Sequence, residues 1–290
     1  MTADVIPVHQ GAGETTAAVL EATDVVKVLG AGAGEVRALK GVSLSLAPGQ
    51  LTLLMGPSGS GKTTLLSVLG CMMTPTEGTV RVCGQSTKGA GPEQLAGLRR
   101  NHIGFIFQSY HLFPTLTALD NVRLALDVRG EHGSSATARA KQALIAVGLG
   151  HKTRSFPSEL SGGEQQRVAI ARAIVGNAPI ILADEPTAAL DSENGHAIME
   201  VLAKIAQDPT RAVLVVTHDP RIVPFAKRIV RIEDGSIVGE EHHSEGRGIS
   251  EDRSSGEEHG TKQQDLNQQD MNQDINEEDS IQTKRVRMQR

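Results

Sequence analysis

Gly56-Pro57-Ser58-Gly59-Ser60-Gly61-Lys62-Thr63 stands between the apolar run Gln50–Met55 and a helix-forming stretch from Gly61 to about Leu69. It fits the pattern G-x-x-x-x-G-K-[ST] in the strand-to-helix setting that pattern needs. The residue types follow from the chemistry. Glycines let the backbone wrap closely, so that amide N–H groups face phosphate oxygens. A helix N-terminus adds partial positive charge. Lys62 is expected to reach the β- and γ-phosphates, and the Thr63 hydroxyl to ligate Mg²⁺. Thr64, next on the helix, joins Gly56 to Thr63 in the expected nucleotide-binding set.

Three other segments repeat the design of an apolar strand that ends in a polar group. Ile180-Ile181-Leu182-Ala183-Asp184-Glu185 delivers two carboxylates to the carboxyl end of a buried strand. In a parallel sheet that end faces the ligand crevice. Asp184 is expected to hold Mg²⁺ and Glu185 to polarise an attacking water. Val213-Leu214-Val215-Val216-Thr217-His218 places His218 for a γ-phosphate contact. Gln108 follows the strand Ile103–Phe107 and is expected to touch Mg²⁺ or the water.

The rest of the body alternates in the same way. Val19–Leu29 and Glu35–Leu46 read as antiparallel strands around Gly30–Gly34, and Thr79–Cys83 and Ile229–Ile232 as further strands. Ala118–Val128, Ala136–Val147, Gly162–Val175 and Ser192–Ala206 have helical spacing. Apolar strands alternating with helices imply an α/β fold with parallel strands covered on both faces.

Composition narrows the functional classes. The 290 residues carry a net charge of −5, so bulk charge does not suit polyanion binding and no nucleic-acid partner is expected. Aromatics are 2%, which argues against recognition by aromatic stacking. Cys71 and Cys83 are too few for a disulfide scaffold or a four-cysteine zinc site. No apolar run approaches the length of a membrane span, and Met1–Val19 lacks the pattern of a secretion signal, so a cytoplasmic chain is expected, with any membrane part supplied by another. Residues 240–290 hold 13 Asp/Glu against 7 Lys/Arg, whereas residues 1–239 are close to neutral. With few aliphatic residues, 240–290 is expected to be a disordered polar tail, and residues 1–18 a flexible N-terminus. The basic end Lys284–Arg290 reads as solvated, with contact to anionic lipid as the other reading.

Leu160-Ser161-Gly162-Gly163-Glu164-Gln165-Gln166-Arg167 resembles the signature of ABC-type ATPases. The order of phosphate loop, Gln108, signature, Asp184–Glu185, Ala189-Leu190-Asp191 and His218 is similar to that family over Val19–Gly239. The resemblance implies a P-loop NTPase (RecA-like) core over residues 19–239, with an antiparallel β subdomain and an α-helical signature subdomain at about 109–175. It implies an ATPase with ATP and Mg²⁺ that forms a homodimer head to tail. Ser161, Gly162, Gly163 and Glu164 of one copy, with Asp191, would then complete the ATP site of the other. A helix N-terminus with no phosphate in its own subunit fits that role.

Arg99–Leu112, Leu69–Thr76 and Ile181–Thr187 look like the subgroup of macrolide exporters, lipoprotein-release ATPases and the cell-division ATPase. That likeness implies a separate membrane permease, the cytoplasmic face of the inner membrane as the workplace, and a periplasmic adaptor protein among the partners. Tyr110–Pro114 lies where the family couples to its permease; packing within the helical subdomain is the other reading of these residues. The alternative is a soluble ABC ATPase of DNA repair or cluster assembly, whose usual coiled coils, zinc modules or second ATPase domain are not seen here. Three positions depart from the family. Val28 and Leu29 stand where an adenine-stacking aromatic is common, leaving base discrimination weak or an aromatic to come from elsewhere. Glu164 replaces a Gln, and Ala188-Ala189 replace a Gly or Ser.

Overall fold

A computed structural model of the protein describes residues 17–242. Two sheets share the work. Strands β1 (Leu20–Leu29), β2 (Val36–Leu46), β4 (Glu77–Val82) and β5 (Gln85–Ser86) form an antiparallel sheet in the order β2-β1-β4-β5. Strands β3 (Gln50–Met55), β6 (Ile103–Ile106), β7 (Ile180–Asp184), β8 (Ala212–Thr217), β9 (Arg228–Glu233) and β10 (Ser236–His242) form the second, in the order β10-β9-β3-β8-β7-β6. This sheet is parallel from β9 to β6, with β10 returning antiparallel to β9.

Helices α1 (Lys62–Leu69), α2 (Pro92–His102), α3 (Ala118–Asp127), α4 (Gly133–Ala146), α5 (Gly162–Ile174) and α6 (Ser192–Ala206) complete the chain. Leu51, Leu53, Ile181, Val213 and Val215 point to one face of the parallel sheet and pack with α3, α5 and α6. Leu54, Leu182, Leu214 and Val216 point to the other and pack with α1 and the antiparallel sheet. Both faces are covered, which is why these strands read as unbroken apolar runs. No helix among the described residues is long and apolar enough to cross a membrane.

The expected elements are present, with β4 starting two residues earlier and the short β5 added; three further differences bear on the fold. Helix α2 lacks the strong apolar stripe that would announce it. Its signal is instead a cap: Gly91 precedes Pro92, and the Gln94 side chain accepts a hydrogen bond from the Gly91 N–H at 3.0 Å. Helix α4 starts at Gly133, a turn before Ala136. Strand β10 runs to His242, past the Gly239 at which the folded body is expected to end, so residues 240–242 pair with β9 and are not loose tail. The rest of the expected tail and the first 16 residues lie outside the described residues. Both cysteines are free, and burial pushes the Cys71 thiol up to about 11, so it is inert.

Charge explains the extension of β10. Arg228 on β9 is only 7% exposed, and its guanidinium bonds both oxygens of Glu240, at 2.8 and 2.9 Å, and the Ser45 carbonyl of β2. A buried cation without its carboxylate is costly. Glu240→Gln is expected to lower stability by about 1–3 kcal/mol. The Arg228 hydrogen bonds hold the Glu240 carboxyl below the usual range. A depressed folded pKa gives stability that is complete above the ordinary glutamate value and lost as pH falls through the lowered one. Thermal melts of the two proteins should therefore differ at neutral pH and converge in acid.

Candidate nucleotide-binding site

Strand register brings the expected groups to one edge. Leu53 pairs with Val215, Val215 with Ala183, and Ala183 with Ile106, so four strands reach the same level side by side. Just past that level the chain delivers the phosphate loop, His218, Asp184–Glu185 and Gln108. A cleft of about 820 Å³ opens there, and its lining includes Pro57, Ser58, Gly59, Gly61, Lys62, Thr63, Thr64, Gln108, Glu185 and His218.

The loop is held by close backbone packing. Gly61 has φ of +99°, and a Cβ there would lie 2.6 Å from the Ala38 carbonyl of β2. A Cβ on Gly56 would sit on the Ile232 carbonyl of β9. Gly235, in the β9–β10 turn, donates to Ser60 O at 3.0 Å and accepts from Lys40 N at 2.8 Å. Both sheets therefore grip the loop from outside. Lys62 Nζ donates to the Gly56 and Pro57 carbonyls of its own loop, at 2.7 Å each. Its side chain is pre-folded over the space that the loop encloses.

Beside the loop, Thr63 Oγ1 approaches Asp184 Oδ1 at 3.4 Å. Burial raises the Asp184 carboxyl, Glu185 pushes in the same direction, and Thr63 and Lys62 oppose them. A hydroxyl and a carboxylate oxygen this close are hard donors of the kind Mg²⁺ takes together with substrate phosphates. Among the described residues no three His, Cys, Asp or Glu side chains cluster to hold a metal by themselves. Glu185 adopts φ of +46°, an unfavourable region for a side-chain-bearing residue, and its N–H donates to the Val216 carbonyl at 2.9 Å. That turn aims its carboxylate at His218 Nδ1, 2.7 Å away.

The signature residues do not line this cleft. Ser161 caps α5: its hydroxyl accepts from Glu164 N at 3.3 Å, and the Glu164 carboxylate accepts from Ser161 N at 2.9 Å. These hydrogen bonds, led by that from Ser161 N, lower the Glu164 carboxyl. The amides of Gly162 and Gly163 take no part in the box; Gly163 is buried against Asn194, and Gly162 sits beside Tyr110 and Leu190. Asp191 caps α6, accepting from Asn194 N at 2.9 Å. Of Tyr110, Leu112 and Phe113, only Phe113 is well exposed; Tyr110 rests against Gly162, and Leu112 packs on the helical core. Arg172 of α5 donates to the Tyr110 and His111 carbonyls at 2.7 and 2.5 Å, tying the loop after Gln108 to the signature helix.

Sequence reasoning missed part of the cleft wall. Leu29 lines it as expected and Val28 does not; Val36, Arg37, Ala38, Asp234 and Gly235 also line it. The signal was the pairing of Leu29 with Val36 across the β1–β2 turn, which needs a register that the sequence leaves open.

A phosphate loop, a paired carboxylate strand and a terminal histidine on one sheet edge define a nucleotide-binding cassette. Residues 39–188 match the family described as "ABC transporter". The chain belongs to that family. It is 45% identical over 221 residues to the "Macrolide export ATP-binding/permease protein MacB" of Salmonella typhimurium, covering 76% of this chain and 34% of that protein. It is 44% identical to the protein of the same name from Hahella chejuensis over similar shares. The chain thus spans about a third of the length of these curated relatives. Among solved structures, "Dimeric structure of a post-hydrolysis state of the ATP-binding cassette MJ0796 bound to ADP and Pi" aligns with a TM-score of 0.71 and 42% identity, covering 77% of this chain and 98% of that one. The structure titled as cbiO1 from Clostridium perfringens, at 24% identity and a TM-score of 0.70, shows the same fold.

Lys62→Ala removes the cation above the loop, whose charged hydrogen bonds contribute about 1.5–3 kcal/mol each. Affinity for ATP and turnover should both fall by about tenfold or more. Titration with a fluorescent ATP analogue and a phosphate-release assay check this; wild-type values would refute the site.

Proposed function

We propose that the chain binds and hydrolyses ATP and so drives a membrane permease, working as a dimer with ATP between the two copies. The observation that carries this is the division of the site: Lys62, Thr63, Gln108, Glu185 and His218 share one cleft, while Ser161, Gly162 and Gly163 at the N-terminus of α5 do not line it. An anion site without an anion of its own is suited to a partner's nucleotide. The dimeric, ADP-bound and phosphate-bound relative supports the reading.

In this scheme the loop amides and Lys62 bind the β- and γ-phosphates, Lys62 exchanging its two carbonyl contacts for phosphate oxygens. Mg²⁺, held by Thr63 and Asp184 with Gln108 nearby, would neutralise charge on the phosphates. Glu185 accepts a proton from the attacking water as phosphoryl transfer proceeds. His218 holds that carboxylate in place through the 2.7 Å hydrogen bond and faces the γ-phosphate. Ser161, Gly162 and Gly163 of the second copy close over the same phosphates, with Asp191 at the seam between copies. ATP is then the link between copies, and its hydrolysis breaks the link.

Coupling to the permease runs through a second groove of about 590 Å³, whose lining includes Phe105, Phe107, Phe113 and Arg172. It adjoins the loop after Gln108, so a permease segment seated there would sense the cleft. The MacB relatives carry ATP-binding and permease functions under one name, which supports a permease partner of that exporter kind. That reading places the protein at the cytoplasmic face of a membrane, with an adaptor protein on the far side as a further partner.

Glu185→Gln keeps the binding groups and removes the base. It should bind Mg-ATP, fail to hydrolyse it and elute as an ATP-dependent dimer in gel filtration at high protein concentration. A variant that binds ATP yet stays monomeric would contradict the scheme.

A further inference from the structure

The cleft has a phosphate wall and a second wall with no assigned task. For a nucleotide whose phosphates lie on the loop, the space left for the base is the rest of the lining, which includes Leu29, Val36, Arg37 and Ala38. No Phe, Tyr or Trp side chain lines the cleft. Leu29 and Val36 face each other across the β1–β2 turn and offer apolar area, which any base can cover without being distinguished. Arg37 is different. It is exposed and lines the cleft, and its side chain makes no hydrogen bond or ion pair among the described residues. Of the two carboxylates in the lining, Asp234 is committed to Lys40 at 2.5 Å and Glu185 to His218 at 2.7 Å.

A guanidinium is a rigid fork of donors with no acceptor. It can lie flat on any base face. At the base edge it discriminates. Guanine presents two adjacent acceptors, O6 and N7, that take the fork in a bidentate pair. Adenine presents N7 beside an amino donor, which faces an N–H with another N–H. We propose that Arg37 determines base specificity in this site, and that the cassette takes guanine nucleoside triphosphates at least as well as adenine ones. The inference rests on the nucleotide-cassette reading above and adds the substrate class. The reaction is unchanged: water attacks the γ-phosphorus, the β–γ bridging bond breaks, and the diphosphate and inorganic phosphate leave.

The experiment is competition binding of ATP and GTP to the full chain, with kcat and KM for both nucleotides measured alongside. In the wild type GTP should bind as tightly as ATP or tighter. Arg37→Ala should weaken GTP by about fivefold to tenfold, the lower end of bidentate base discrimination at an exposed site, and ATP by less than about twofold, through KM and not kcat. Arg37→Lys keeps the charge but not the fork, so it should behave like Arg37→Ala. Equal loss of ATP and GTP in Arg37→Ala, restored in Arg37→Lys, would mean a charge acting on the phosphates and would overturn the assignment. Binding of ATP with tenfold or greater exclusion of GTP would also overturn it, while leaving the cassette reading intact. Binding of neither nucleotide would overturn both.

Discussion

Register in the parallel sheet is the constraint on which the rest depends. Leu53, Val215, Ala183 and Ile106 lie abreast and are fully buried. Their close packing fixes each strand relative to its neighbours: both faces are apolar, but a one-residue slip would exchange the side chains that each face is packed around. Such a slip would also move a terminal residue by about 3.3 Å. The 2.7 Å contact of Glu185 with His218, and the approach of Thr63 to Asp184, would not survive it. The hydrophobic core therefore sets the geometry of the polar site, and core substitutions on β7 or β8 bear on chemistry as well as stability.

A second constraint is the seating of the phosphate loop between two sheets. Gly56 meets Ile232, and Gly61 and Gly235 both meet Ala38, so backbones from β2, β9 and the loop touch where no Cβ fits. The same contact brings the β1–β2 turn over the cleft. It explains why Leu29, Val36 and Arg37, remote in sequence from Lys62, share its lining.

Most of this was legible in the sequence because the strands are short, apolar and end in chemistry-bearing residues. The loop, Asp184–Glu185, Gln108 and His218 were found that way. Pro57–Gly59, Gly61–Thr64, Gln108, Glu185 and His218 share the cleft lining, whereas Gly56, Ser60 and Asp184 lie behind it, Asp184 within reach of Thr63. The signature helix was legible from the helical spacing of Gly162–Val175, and its role only from the resemblance of Leu160–Arg167; the Ser161–Glu164 cap is seen in the structure. What was hidden depended on tertiary pairing. Helix α2 has a cap but a weak apolar stripe, and the Arg37 wall needs the register of β1 on β2. The extension of β10 rests on Arg228, whose carboxylate partner Glu240 lies 12 residues away in a segment that reads as polar tail.

We propose that each nucleotide site is shared between two copies, the phosphate loop of one meeting the α5 N-terminus of the other. Mixing tests it. Lys62→Ala disables the loop and spares the signature; Ser161→Glu puts a carboxylate at the signature and spares the loop. Each variant alone should be inactive as an ATPase. A mixed dimer holds one site built from an intact loop and an intact signature, so the mixture should regain activity that neither parent shows. A mixture as inactive as its parents would contradict the shared site.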